Sequence, residues 1–250
     1  MCKLNFQRVF SIILLALIMG SLLYNFSSGN KMAMTQERQL PIYSVQTDKP
    51  QVAISFDAAW GADYTKEILD ILDEYDVKTT FFLVGFWVDE YPEIVKEIHK
   101  RGHEIGNHST THPQMSKLTS EQIKTELLTT EEKIYELTGQ KASIFRPPFG
   151  DYNDNLINTA KKVGYHTIQW DVDSLDWKER GVMDIVERIK AKTSEGSIIL
   201  FHNNGKYTAE ALPLVLDYLI KDRGWEVVPI SELIYKQNYY IDHQGQQIKK

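Results

Sequence analysis

Several short β-rich runs in this 250-residue chain are followed by a side chain able to do proton, metal or ion-pair chemistry. Asp57 closes the run 52–56, and His108 and His112 follow the run 103–106. Arg146 follows 143–145, while Asp171, Asp173 and Asp176 follow the run ending at Trp170, and His202 follows 197–201. A carboxylate can act as a general base, and two imidazoles four residues apart on a helical turn or tight loop can chelate one metal ion. HxxxH by itself is more often a pair of surface histidines, and gains weight only beside the carboxylates at the other strand ends. His202 ends a wholly apolar stretch, 198–201, where it is either a satisfied near-core histidine or a general acid oriented by an aspartate, for which Asp176 is the candidate. Arg146, stiffened by Pro147-Pro148-Phe149-Gly150, can hold Asp57 ionised or form a structural ion pair.

These residues can meet only if the elements before them converge. The β-rich runs 52–56, 80–84, 103–106, 143–145, 166–170, 197–201 and 226–228 alternate with amphipathic helical patterns. Ile68, Leu69, Leu72 and Tyr75 recur at helical spacing, as do Ile123, Leu127, Ile134 and Leu137 behind a capping box Thr119…Gln122. Gly102, Gly139, Gly164, Gly196 and Gly224 each stand where a helix should stop shortly before a strand. Such alternation implies an α/β fold with a parallel sheet, and this many βα units in so short a stretch suggest a compact or incomplete barrel, with a doubly wound sheet as the alternative. No GxGxxG follows the first run, so a dinucleotide site is unsupported. In a βα barrel the strand ends converge on one mouth, where catalytic groups gather.

Five segments in order resemble the motifs of the NodB-homology polysaccharide deacetylases, carbohydrate esterase family four. They are Ser55-Phe56-Asp57-Ala58, His108-Ser109-Thr110-Thr111-His112, Arg146-Pro147-Pro148-Phe149-Gly150, Asp173-Ser174-Leu175-Asp176-Trp177 and Leu200-Phe201-His202. The Asp57-Ala58-Ala59-Trp60-Gly61 variant looks most like the sporulation-associated PdaB subgroup. The resemblance implies a distorted (β/α)7-8 barrel that removes N-acetyl groups from N-acetylhexosamines of a glycan such as peptidoglycan or a chitin-like polymer. It implies Asp57 as general base, Arg146 as its clamp, and His202, backed by Asp176, as the acid that protonates the leaving amine. His108 and His112 would ligate a divalent metal, usually zinc, with cobalt or another as alternatives. The metal and the Phe149 backbone N–H would stabilise the oxyanion, and Trp177 and Leu200 would enclose the acetyl methyl, although plain packing suits those two equally.

One position departs from the family pattern. Where a second aspartate normally ligates the metal, this chain has Ala58. Either water replaces the carboxylate and metal binds more weakly, or Asp57 moves onto the metal, or the fold binds glycan without turnover. Asp63 is a conceivable substitute ligand that nothing in the sequence places. Deacetylase, impaired glycan-binding or structural protein, and a different metal hydrolase are therefore the readings to separate. Trp60, beside the altered motif, could stack on a sugar or pack. His99 and His103 share the i, i+4 spacing but straddle a helix end at Gly102, so His103 reads as structural and His99 as surface.

Composition sets the outer bounds. Apolar residues make up 42% and charged residues 25%, and a net charge of −6 leaves no basic excess for nucleic acid. Residues 1–40 carry four basic groups against one acidic, +3, while 41–250 carry 24 against 33, −9. The uncharged run 9–24, preceded by Lys3 and Arg8, predicts a signal anchor or signal peptide over 1–30, with Ser27-Ser28-Gly29 as a poor cleavage site. A linker would follow at 31–49, then the deacetylase domain at 50–238 and a tail at 239–250. The body would lie outside the membrane, held there or secreted, with the spore envelope as one destination. Cys2 is the only cysteine, so no intrachain disulfide can form.

Overall fold

The computed structural model describes residues 10–19 and 38–250. The chain divides into two units, 1–38 and 39–250. In the first, residues 10–19 are helical, with Phe10, Ile12, Leu14, Leu15 and Leu17 exposed. Among the described residues no helix is long and apolar enough to cross a membrane. Residues 1–9 and 20–37 lie outside the described residues, so the expected export segment is described only in part and its candidate cleavage site, 27–29, not at all.

The second unit is built on a parallel sheet. Its strands are β2 (Gln51–Ala58), β3 (Thr80–Leu83), β4 (Glu104–Asn107), β5 (Ile144–Phe145), β6 (His166–Thr167), β7 (Val172–Asp173) and β8 (Ile198–His202). They run in the order β6-β5-β4-β3-β2-β8-β7, and β9 (Glu226–Val227) pairs with the start of β2. The sheet curls into an incomplete barrel, as the βα alternation predicts. The strands are buried on both faces, which is why they read as apolar runs rather than as an alternation. In β2, Val52, Ile54, Phe56 and Ala58 join the larger apolar cluster with the helices, while Ala53 joins a smaller one with Phe82, Ile144, Ile168 and Ile198. Ser55, on the same face as Ala53 by strand alternation, satisfies its buried hydroxyl by donating to the Ile199 carbonyl at 2.9 Å.

The helical expectations hold where the chemistry is explicit. Ser120–Thr138 opens on the reciprocal Thr119–Gln122 box and closes on Gly139 at φ +71°. The run 166–170 is not one strand. β6 ends at Thr167, and the chain re-enters the sheet as β7 beside β8, pinned by Asp171, whose carboxylate accepts from Ile198 N and Ser197 Oγ at 2.8 Å each. The compact unit also reaches beyond 50–238. β1 (Ser44–Val45) pairs with β11 (Gln246–Lys249), which pairs with β10 (Tyr239–Ile241), because Ile42 and Val45 are apolar enough to be buried and draw both termini onto the barrel.

Candidate active site

Parallel pairing places Asp57 directly opposite His202 and one strand from Phe82. His108 follows β4, Arg146 follows β5 and Asp173 ends β7. All reach the C-terminal rim, where a cavity of about 700 Å³ opens. Asp57, His108, His112, Phe149, Trp177, Leu200 and His202 line it. Arg146 and Asp176 stand behind the wall, 0% and 1% exposed. Every site residue expected from the sequence is therefore at or behind one cavity. Trp60, Trp170, Asp173, Glu179 and Lys206 line it as well.

Arg146 Nη1 donates to Asp57 Oδ1 at 2.7 Å, and Nη2 to the Gln169 carbonyl at 3.2 Å. The guanidinium lies over the Phe82 ring at 4.2 Å. Burial by itself would raise the Asp57 carboxyl, but Arg146, helped by His202, holds it below the usual carboxylate value. Asp57 is thus an ionised carboxylate in a nearly dry setting.

His108 Nδ1 lies 2.7 Å from the Arg146 carbonyl, which can only accept, so Nδ1 carries the proton. Burial pushes His108 below its ordinary value and keeps it neutral. Its bare Nε2 then faces Asp57 Oδ2 at 3.5 Å. Two lone-pair atoms at that separation are not an ion pair; they face a position that favours positive charge. The 108–112 segment is a loop, not a helical turn. Asn107 Oδ1 accepts from Ser109 N, Ser109 Oγ from His112 N, and Glu126 Oε2 from Thr110 N and Thr111 N. This brings the His112 ring to 5.0 Å from His108, with Phe149 at 4.5 Å and Trp60 at 4.8 Å around it. Burial lowers His112 to about 4, and its Nδ1 is buried without a hydrogen-bond partner.

The donors fit a cation in part. Two neutral imidazoles and a carboxylate-facing lone pair suit it, yet among the described residues no group of three His, Cys, Asp or Glu could hold a metal ion. A catalytic zinc site ordinarily has three protein ligands. Ala58, at the position of the missing carboxylate, is fully buried in the helix-side cluster. Asp63 sits in the next loop, its backbone N–H donating to Asn204 Oδ1 at 2.9 Å.

On the other wall His202 Nδ1 meets Asp176 Oδ1 at 2.7 Å. Burial pulls His202 down, but the hydrogen bond and charge of Asp176, with Asp57 and Asp173, hold it above its ordinary value. Asp176 is fixed in turn by His202 N and Thr208 Oγ1 at 2.7 Å each and by Trp177 N at 2.8 Å. Thr208 escaped the sequence reading. Its only signal was Gly205, where a Cβ would come within 2.3 Å of Thr208 Oγ1 and 2.9 Å of Asp176 Oδ2.

Strain marks the same rim. Among the described residues seven non-glycine residues have positive φ, and five of them, Ser109, His112, Phe149, Leu175 and Glu179, lie in its loops. Each costs of order 1–3 kcal/mol, which persists where the surroundings over-determine the backbone, as they do at functional sites.

An incomplete parallel barrel here sets a clamped carboxylate beside an aspartate-backed histidine, an arrangement able to do the acid–base chemistry of a hydrolase. The chain belongs to the polysaccharide deacetylase family, whose model matches residues 44–168. It is 40% identical over 194 residues to the uncharacterized protein YlxY of Bacillus subtilis, covering 78% of this chain but only 60% of YlxY. It is 36% identical to a peptidoglycan-N-acetylglucosamine deacetylase of Bacillus cereus, covering 77% of this chain and 92% of that protein. Among solved structures, the CE4 family pseudoenzyme BA3943 of Bacillus anthracis superposes with a TM-score of 0.74 at 39% identity, covering 77% of this chain and 68% of that one.

Proposed function

We propose that the chain hydrolyses N-acetyl groups from N-acetylhexosamine residues of peptidoglycan or a similar cell-wall glycan, with turnover limited by a weakly held metal. The observation that carries this reading is the pairing of Asp57, clamped by Arg146 at 2.7 Å, with His202, backed by Asp176 at 2.7 Å, across one cavity. A carboxylate held below its usual value and an imidazole held above its own are the acid–base pair that amide hydrolysis needs. Asp57 accepts the proton of the attacking water, and Arg146 keeps it from being protonated beforehand. His202 delivers a proton to the departing amine, while Asp176 sets its tautomer and stabilises the imidazolium. Phe149, with its backbone in the left-handed region at φ +61°, presents its N–H beside the acetyl carbonyl. Leu200 and Trp177 enclose the methyl. His108 and His112 would hold a divalent cation such as zinc, which supplies Lewis-acid polarisation when bound.

The glycan class follows from relatives named as peptidoglycan deacetylases. An N-terminal apolar segment that exports the body to the outer face of the membrane, as anchor or cleaved signal, suits such a substrate, and the likeness to PdaB motifs makes a spore glycan the first to try. A second reading, a glycan-binding protein without turnover, is favoured by Ala58 and by the likeness to a pseudoenzyme. Retention of base, clamp, acid and orienter argues against it, since binding needs none of them. Acetate release from acetylated chito-oligomers and from peptidoglycan, measured with and without added zinc or cobalt, separates the two. We expect release that rises with metal and is lost in Asp57→Asn. No release at any metal concentration would overturn the deacetylase reading.

A further inference from the structure

We infer that Trp60 forms a sugar-stacking subsite that makes a glycan oligomer, rather than a single sugar, the ligand of this cavity; the inference rests on the glycan reading above. Of the five tryptophans, only Trp60 and Trp177 are exposed, at 64% and 55%, and both line the cavity. Leaving an indole in water sacrifices burial worth roughly 2 kcal/mol or more, so its exposure needs a reason.

Looseness is not the reason. The Gly61 carbonyl, next in the chain, accepts from Trp87 Nε1 at 2.8 Å and from Asn203 Nδ2 at 3.0 Å. Both donors are buried, at 0% and 1% exposure. Gly61 has φ +66°, and a Cβ there would stand 2.3 Å from Asn204 Nδ2. The loop is therefore clamped from two sides at a position only glycine fits, and the exposed indole is held rather than free. One edge of Trp60 rests on the His112 ring at 4.8 Å and 70°, with Phe86 at 6.4 Å behind. The rest of the ring is open at the rim.

The two exposed indoles border the cavity at different loops. Trp60 touches the His112 ring, whereas the Trp177 backbone N–H donates to Asp176. A sugar whose acetamide lies between Asp57 and His202 leaves Trp60 free for the apolar C–H face of the next residue in the polymer. Pyranose faces and indoles are matched in size and polarity, so a rigid rim tryptophan gains contact at little entropic cost.

The test is calorimetric binding of N-acetylglucosamine and its tetramer to wild type, Trp60→Ala and Trp60→Phe at one fixed zinc concentration, with thermal melts as a folding check. We expect the tetramer to bind wild type more tightly than the monosaccharide. Trp60→Ala should weaken the tetramer about tenfold and leave the monosaccharide unchanged, while Trp60→Phe should keep most of the tetramer affinity. Equal weakening of both ligands would mean that Trp60 acts only through His112, and unchanged tetramer binding would mean that it only packs; either overturns the inference while the glycan reading stands. Failure of wild type to bind either sugar would overturn both.

Discussion

The sharpest perturbation is Ala58→Asp, which supplies the carboxylate the family pattern has and this chain lacks. Ala58 is fully buried at the end of β2, next to Asp57 and inside the apolar cluster against the helices. Without metal, an aspartate there is an unpaired buried charge, costing about 3 kcal/mol or more. For a domain of this size that lowers the melting temperature by roughly 6–12 °C. With zinc, the carboxylate would join His108 and His112, the proposed ligands, and bring the protein ligands to three. Loss of a partner that merely orients a ligand costs about 10–100-fold in affinity, so gain of a charged ligand should tighten zinc by about 100-fold or more. At zinc 100 times its dissociation constant, linkage returns about 2.7 kcal/mol, nearly the whole deficit. The expected pattern is a variant less stable than wild type in chelator, restored to near wild-type stability by zinc, while wild type responds little. Zinc titration by calorimetry and melts with and without metal read both parts. If the variant is destabilised but binds zinc no better than wild type, the side chain stays in the helix-side cluster and the ligand assignment fails.

Three further outcomes follow from the buried charges. Arg146→Met should cost about 3–5 kcal/mol by leaving the Asp57 carboxylate buried and unpaired, and adding Asp57→Asn should recover part of it, read from denaturant midpoints. His202 is held above its ordinary value by Asp176, Asp57 and Asp173, so under the proposed mechanism acid-competent His202 persists to higher pH than a free imidazole would and kcat falls as pH rises through that limb. Asp176→Asn removes the nearest of these charges and should shift the limb to lower pH with a loss in kcat of about 100-fold; an unmoved limb would mean another group is the acid. His103 is buried, accepts from Thr79 N at 3.2 Å, and is lowered by burial to about 4. Its folded value lies below its unfolded value, so stability present at neutral pH is lost as pH falls from about 6.5 toward 4, by about 3 kcal/mol at most. Melts of His103→Gln over that range should decline less steeply than those of wild type.

The parts legible in the sequence were those governed by local rules. Runs buried on both faces, glycine stops and the Thr119 cap depend on neighbours in sequence, and they located the strands that carry Asp57, His108, Arg146 and His202. Less legible was whatever depends on neighbours in space. The split at Asp171 is set by its bonds to Ser197 and Ile198, 26 and 27 residues away. The order of the 239–250 segment depends on β1, at the other end of the unit. Thr208 locks Asp176 from 32 residues away, and its one trace in the sequence, Gly205, becomes readable only with the fold in hand.

This division bears on Ala58. Asp57 is fixed by Arg146, and His202 by Asp176, through contacts that do not pass through residue 58. The clamp and the acid can therefore persist when the ligand position becomes alanine, because a small apolar residue packs well in the helix-side cluster where a carboxylate without its metal would not. A chain that meets little metal would be more stable with alanine, and one that turns over rapidly would need the aspartate.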